Sequence, residues 1–60
     1  MNTQYLSIDE AAKLLGVKRS TVYAWTHRRE IPHYKVGKHL RFVPDELDSW
    51  IQSKRVEPVR

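Results

Sequence analysis

The sequence contains no cysteine. That excludes disulfides, cysteine-bearing zinc sites and thiol catalysis, and it suits a reducing compartment. No apolar run approaches the roughly 20 residues that a membrane-spanning helix needs. The opening residues Met1-Asn2-Thr3-Gln4 have neither the basic nor the apolar region of a secretory signal, and Asp9-Glu10 follow soon after. These absences lead to the expectation of a soluble, cytoplasmic protein with no membrane partner. Length is scarce too: 60 residues leave room for one small domain. Such a chain buries only ~60% of the surface its unfolded form exposes. Small-molecule pockets usually enclose ~300–1,000 Å³, which a core this thin does not easily hold, so an ordinary metabolic enzyme is disfavoured. There is no internal repeat, low-complexity tract or interior linker.

What is present is apolar enough to fold. Hydrophobic residues make up 40% of the chain, and Tyr5, Tyr23, Trp25, Tyr34, Phe42 and Trp50 supply large buried area per residue. The net charge of +4 comes from 11 basic and 7 acidic residues. Its distribution says more than its total. Residues 18–41 hold Lys18, Arg19, Arg28, Arg29, Lys35, Lys38 and Arg41 against Glu30 alone, while the two flanks are slightly acidic. A basic block inside a folded domain points to a polyanionic partner. The plainer reading of the same block is a solvated basic surface.

Ser7-Ile8-Asp9-Glu10 matches a capping box, with Leu6 and Ala11 at the staple positions. Ile8, Ala11, Ala12 and Leu15 share one helical face, and Gly16 is placed to close that helix in the left-handed conformation. After Val17-Lys18 a second helical pattern begins. Val22 and Trp25 lie on one side of it, and Arg19, Ser20, Tyr23 and His27 on the other. A helix this short must pack its apolar side, so the polar side faces out. That mixture of donors and a flat aromatic suits phosphates and base edges, although any amphipathic helix presents a polar outer face. Two short helices joined by a tight glycine turn form a helix-turn-helix unit.

Pro32 ends helical structure. Tyr34-Lys35-Val36 and Leu40-Arg41-Phe42 alternate with period two and predict a β-hairpin. Matching their apolar faces pairs Val36 with Leu40 and Tyr34 with Phe42 around a three-residue loop, Gly37-Lys38-His39. Lys35 and Arg41 then point away from the core together. Pro44 opens a third helix, with Asp45, Glu46 and Asp48 near its start and Lys54 and Arg55 at its end, as the helix dipole favours. The expected core is Ile8, Ala12, Leu15, Val22, Trp25, Ile31, Val36, Leu40, Phe42, Leu47, Trp50 and Ile51. The fold class is therefore α+β, mostly helical: helix-turn-helix, two-stranded hairpin wing, C-terminal helix. Residues 1–55 form the domain, and 56–60 a frayed tail.

This arrangement resembles the excisionase family of small winged helix-turn-helix DNA-binding proteins, relatives of the MerR-type domain. The resemblance runs from Tyr5 to about Gln52. It rests on Tyr5-Leu6-Ser7-Ile8-Asp9-Glu10-Ala11-Ala12, Leu14-Leu15-Gly16-Val17, Ser20-Thr21-Val22-Tyr23-Ala24-Trp25, Ile31-Pro32-His33-Tyr34-Lys35-Val36-Gly37, Arg41-Phe42 and Glu46-Leu47-Asp48-Ser49-Trp50-Ile51. It implies that the helix around Arg19–His27 enters the major groove of double-stranded DNA and that the wing meets the neighbouring minor groove or its phosphates. It also implies an architectural role in recombination, bending DNA beside an integrase, or else transcription regulation or a DNA-binding module of a larger protein in bacteria or phage. Three residues depart from the family pattern. Lys18 stands where a serine cap is usual, Ala24 where arginine or another polar residue is frequent, and Arg29 where glycine is common.

On this reading Arg19, Ser20, Tyr23 and His27 face the major groove, Lys18, Arg28, Lys35 and Arg41 bind phosphates, and Lys38 and His39 form the wing contact. A catalytic role finds no support, since no serine is arranged with a base and an orienting acid. The spacing of His27, His33 and His39 matches no compact metal-ligand pattern, and His33 is expected to face solvent. No cofactor is expected. A helix-turn-helix module that binds protein instead of DNA is the main rival, because fold alone does not settle function. RNA binding is a lesser one, since no aromatic platform sits on a sheet. The expected free state is a monomer, with further copies or a recombinase joining it on DNA.

Overall fold

A computed structural model describes residues 4–59. Residues 1–3 of the expected domain and Arg60 of the expected tail lie outside the described residues. The elements are α1 (Ile8–Leu15), α2 (Arg19–His27), β1 (Tyr34–Val36), β2 (His39–Arg41) and α3 (Pro44–Ser53). Among the described residues, three helices and an antiparallel two-stranded hairpin make this a small α+β, winged helix-turn-helix fold.

The capping box at α1 is complete. The Ser7 N–H donates to Glu10 Oε1 at 2.8 Å, and the Glu10 N–H donates to Ser7 Oγ at 3.2 Å. The backbone N–H of Ser7, with its hydroxyl second, holds the Glu10 carboxyl below its ordinary pKa. α1 ends as glycine at position 16 requires: Gly16 has φ +70°, Val17 N–H donates to Ala12 O at 3.0 Å, and Gly16 N–H to Lys13 O at 3.3 Å. That is the Schellman pattern. It turns the chain sharply into α2, whose first residue follows Lys18. As the substitution of lysine for a serine cap implied, Lys18 makes no side-chain capping bond.

The same closure recurs at the end of α2 without glycine. Glu30 N–H donates to Trp25 O at 2.8 Å and Arg29 N–H to Thr26 O at 3.1 Å. Arg29 takes the left-handed conformation at φ +57°. Thr26 is buried among apolar neighbours, but its hydroxyl donates to Tyr23 O at 2.8 Å, so no polar group is left unpaired there.

The core comprises Ile8, Ala11, Ala12, Val22, Ile31, Phe42 and Leu47, with Leu6, Leu15, Val17, Trp25, Leu40 and Trp50 packed around it. Trp25 and Trp50 meet edge to face with centroids 5.3 Å apart and join α2 to α3. Two expected core residues are not in it. Val36 is 61% exposed and Ile51 44% exposed. Ala11, fully buried, belongs to the core as well. His33, expected in solvent, is half-buried, and its Nδ1–H donates to Ile31 O at 2.6 Å.

The hairpin register also differs from expectation. The partners are Tyr34 with Arg41, Lys35 with Leu40 and Val36 with His39. The turn is therefore the two residues Gly37-Lys38, and His39 belongs to β2. The reason lies at Gly37, whose φ of +62° suits the first position of a type II′ turn, the tight connection that matches strand twist. Phe42 does not pair with Tyr34. It exchanges both backbone hydrogen bonds with Leu6, at 2.8 and 2.9 Å, which ties the segment before α1 to the hairpin. In this register Tyr34, Val36, His39 and Arg41 share one face, whereas Lys35 shares the other with Leu40. Lys35 and Arg41 are thus on opposite faces. The Tyr34 hydroxyl donates to Glu46 Oε2 at 2.6 Å, linking hairpin to α3, and that carboxylate raises the Tyr34 pKa.

Candidate nucleic-acid interface

The short turn between α1 and α2 places the first turns of both helices side by side, and the hairpin folds back beside them. The three elements enclose a cleft of about 260 Å³. α1 contributes Ile8 and Asp9, preceded by the cap Ser7. α2 contributes Arg19 and Tyr23. The hairpin contributes Lys38, His39, Leu40 and Arg41. Arg19, Tyr23, Lys38, His39 and Arg41 were all singled out from the sequence, and the fold gathers them at one place although up to 22 positions separate them.

Arg19 makes two side-chain contacts in this group. Its Nε lies 3.3 Å from Asp9 Oδ1, and its guanidinium carbon stands 5.5 Å from the centroid of the Tyr23 ring. A carboxylate near Nε and an aromatic ring under the guanidinium carbon thus restrain the group through two contacts. Arg41 is half-buried, and its Nη1 donates to Leu40 O at 2.7 Å, which folds its stem against the strand. Lys38 occupies the second position of the hairpin turn and is exposed.

The other candidates do not line this cleft. Lys18, Ser20 and His27 are exposed on or beside α2. Arg28 is exposed and lies 3.7 Å from Glu30. Lys35 is exposed on the opposite face of the hairpin from Arg41. Asp9 lines the cleft but was not a candidate from sequence. Its place in the first turn of a helix explains an acid there by dipole alone. Only the packing of α1 on α2 brings it to an arginine ten residues later.

A family model described as "Helix-turn-helix domain" matches residues 5–55. The chain belongs to this excisionase-like helix-turn-helix family. The match extends from the segment that pairs with Phe42 to the end of α3, so all five elements of this family member fall within it. Two curated relatives from Mycobacterium tuberculosis are similar to it. They are named "Putative DNA-binding protein MT0521" (strain CDC 1551 / Oshkosh) and "Putative DNA-binding protein Rv0500A" (strain H37Rv). Each is 37% identical over 51 residues, covering 78% of this chain and 65% of the relative. The chain thus spans about 65% of the length of the relatives it matches. No solved structure matches it.

Proposed function

We propose that this chain binds double-stranded DNA, with α2 in the major groove and the hairpin against the neighbouring minor groove or its phosphates. The observation that carries the reading is the shared cleft: Arg19 and Tyr23 from α2 and Lys38, His39 and Arg41 from the hairpin converge on one surface. Arg19, Ser20, Tyr23 and His27 are the proposed groove-facing residues. Lys18, Arg28 and Arg41 are the proposed phosphate ligands, with Lys38 and His39 at the wing; Lys35, on the opposite face of the hairpin from Arg41, is proposed for a separate phosphate. The names of the relatives point the same way, as does the family. We take residues 1–55 as the DNA-binding unit. Residues 56–59 belong to no helix or strand, and Val56 and Val59 are exposed, in keeping with a tail.

The role is that of a binding protein and not of an enzyme. Ser7 and Glu10, a hydroxyl beside a carboxylate, serve each other as a helix cap. Single DNA-reading modules bury only ~600–1,000 Å². Tight, selective occupancy by one copy is therefore hard to reach, which favours an architectural, excisionase-like role in recombination with a recombinase or further copies alongside. A MerR-like transcription regulator uses the same surface. Either role places the protein with the nucleoid in the cytoplasm.

The test is an amide-shift titration with a mixed-sequence duplex at low salt and again at higher salt. Expected are shifts concentrated at residues 18–29 and 37–41 that weaken as salt rises, because counterion release dominates non-specific binding. Absence of shifts at low salt overturns the reading.

A further inference from the structure

Asp9 is the one acidic side chain among the described residues that line the cleft. It shares that surface with Arg19, Lys38, His39 and Arg41. A carboxylate there repels phosphate and so works against affinity for any polyanion. The helix dipole favours an acid in this first turn, and Ser7 and Glu10 complete the capping box without it, but neither accounts for the pairing with an arginine of α2. Asp9 engages Arg19, with Oδ1 3.3 Å from Nε.

The atom engaged is informative. Nε is the inner donor of the guanidinium. A carboxylate on the Nε side leaves Nη1 and Nη2 available, and that terminal edge has the spacing to donate to O6 and N7 of guanine together. The guanidinium carbon also lies over the Tyr23 ring, 5.5 Å from its centroid, a second contact that restrains the group. In the free protein the two charged side chains are 57% and 69% exposed, so the pair adds little to folding. Docking on DNA removes water from the cleft, and the same pair then strengthens. Restraining a long side chain beforehand also lowers the entropy lost on binding.

We infer that Asp9 is a positioning residue for base recognition. It holds Arg19 by Nε so that the terminal edge meets a guanine, and it keeps phosphate from taking that place. The inference rests on the DNA-binding reading above and assigns its selectivity to a residue outside the basic set.

The test is selection from a randomised duplex library with the full chain, followed by binding isotherms on the selected duplex and on single base-pair changes. The proteins compared are wild type, Arg19→Ala, Asp9→Asn, Asp9→Glu and the double variant Asp9→Asn with Arg19→Ala. Arg19→Ala is expected to lose about 5- to 150-fold of preference at one guanine-containing pair. Asp9→Asn loses most of the same preference while binding unselected duplex as tightly as wild type or more tightly. The double variant loses no more preference than Arg19→Ala alone. Asp9→Glu keeps a charge in the first helical turn but displaces the carboxylate, so thermal unfolding stays put while the preference falls. Full retention of the preference in Asp9→Asn or Asp9→Glu overturns the inference, and so does a uniform loss on all sequences in Arg19→Ala. Both of those outcomes leave DNA binding intact. Failure of wild type to bind any duplex at low salt removes the DNA reading and the inference together.

Discussion

Among the described residues, Arg29 carries the clearest backbone strain. It closes α2 from the left-handed region, at φ +57°, where Gly16 closes α1 at φ +70°. The hydrogen-bond pattern is the same at both ends. For a residue with a Cβ that conformation costs roughly 1–2 kcal/mol. Glycine gives back part of that relief through the greater freedom of its unfolded chain, about 0.5–1 kcal/mol. Arg29→Gly is therefore expected to stabilise the fold by about 0.5–1 kcal/mol and to raise the melting temperature by roughly 2–8 °C in a domain of this size. Thermal unfolding followed by circular dichroism measures it, and an unchanged or lower midpoint removes the strain argument. Gly16→Ala should do the opposite. Beyond its two chain neighbours nothing lies within 4 Å of a Cβ built there, so the cost is conformational and not steric. The family resemblance already marked position 29 as one where glycine is common. The strain itself became visible only with the backbone angle.

The helices were legible as elements because their signals are local: a capping box, a closing glycine, a proline at the first turn and apolar residues at helical spacing. The α1 cap also yields a pH dependence. The Ser7 N–H and hydroxyl lower the Glu10 pKa in the folded state. The stabilisation is then fully present above the unfolded value of about 4.3 and is lost as pH falls through the lowered folded value. Urea unfolding should show stability falling as pH drops below about 4.3, with a smaller decline in Glu10→Gln. Equal slopes in the two proteins would take the cap out of the account. The hairpin was less legible. Its existence followed from alternation, but its register depends on the positive φ of Gly37 and on the long-range pairing of Phe42 with Leu6. With strands of three residues, apolar identity could not say which face is covered. Val36 therefore turned outward. Ile51 failed as a core residue for a related reason: helical spacing puts it beside Leu47 and Trp50, but it remains 44% exposed.

At the scale of the whole molecule, charge has to do what area cannot. On the proposed reading one module of this size covers little DNA, so phosphate contacts would supply much of its binding. The fold determines which charges can act together. Of the seven basic side chains between residues 18 and 41, Arg19, Lys38 and Arg41 line the cleft, whereas Lys35 faces the other side of the hairpin and Arg28 is paired with Glu30. Lys38, exposed at the tip of the turn, is free to act as a point charge on a phosphate. Lys38→Ala is expected to weaken binding to every duplex alike and to reduce the slope of log K against log salt by about 1. Isotherms at several salt concentrations, on selected and unselected duplexes, check both parts. Arg19→Ala provides the contrast, since its loss should concentrate at one base pair. An unchanged slope for Lys38→Ala places the hairpin tip off the DNA. The interface would then reduce to the α2 surface, too small for selective binding without a second protein or a second copy beside it.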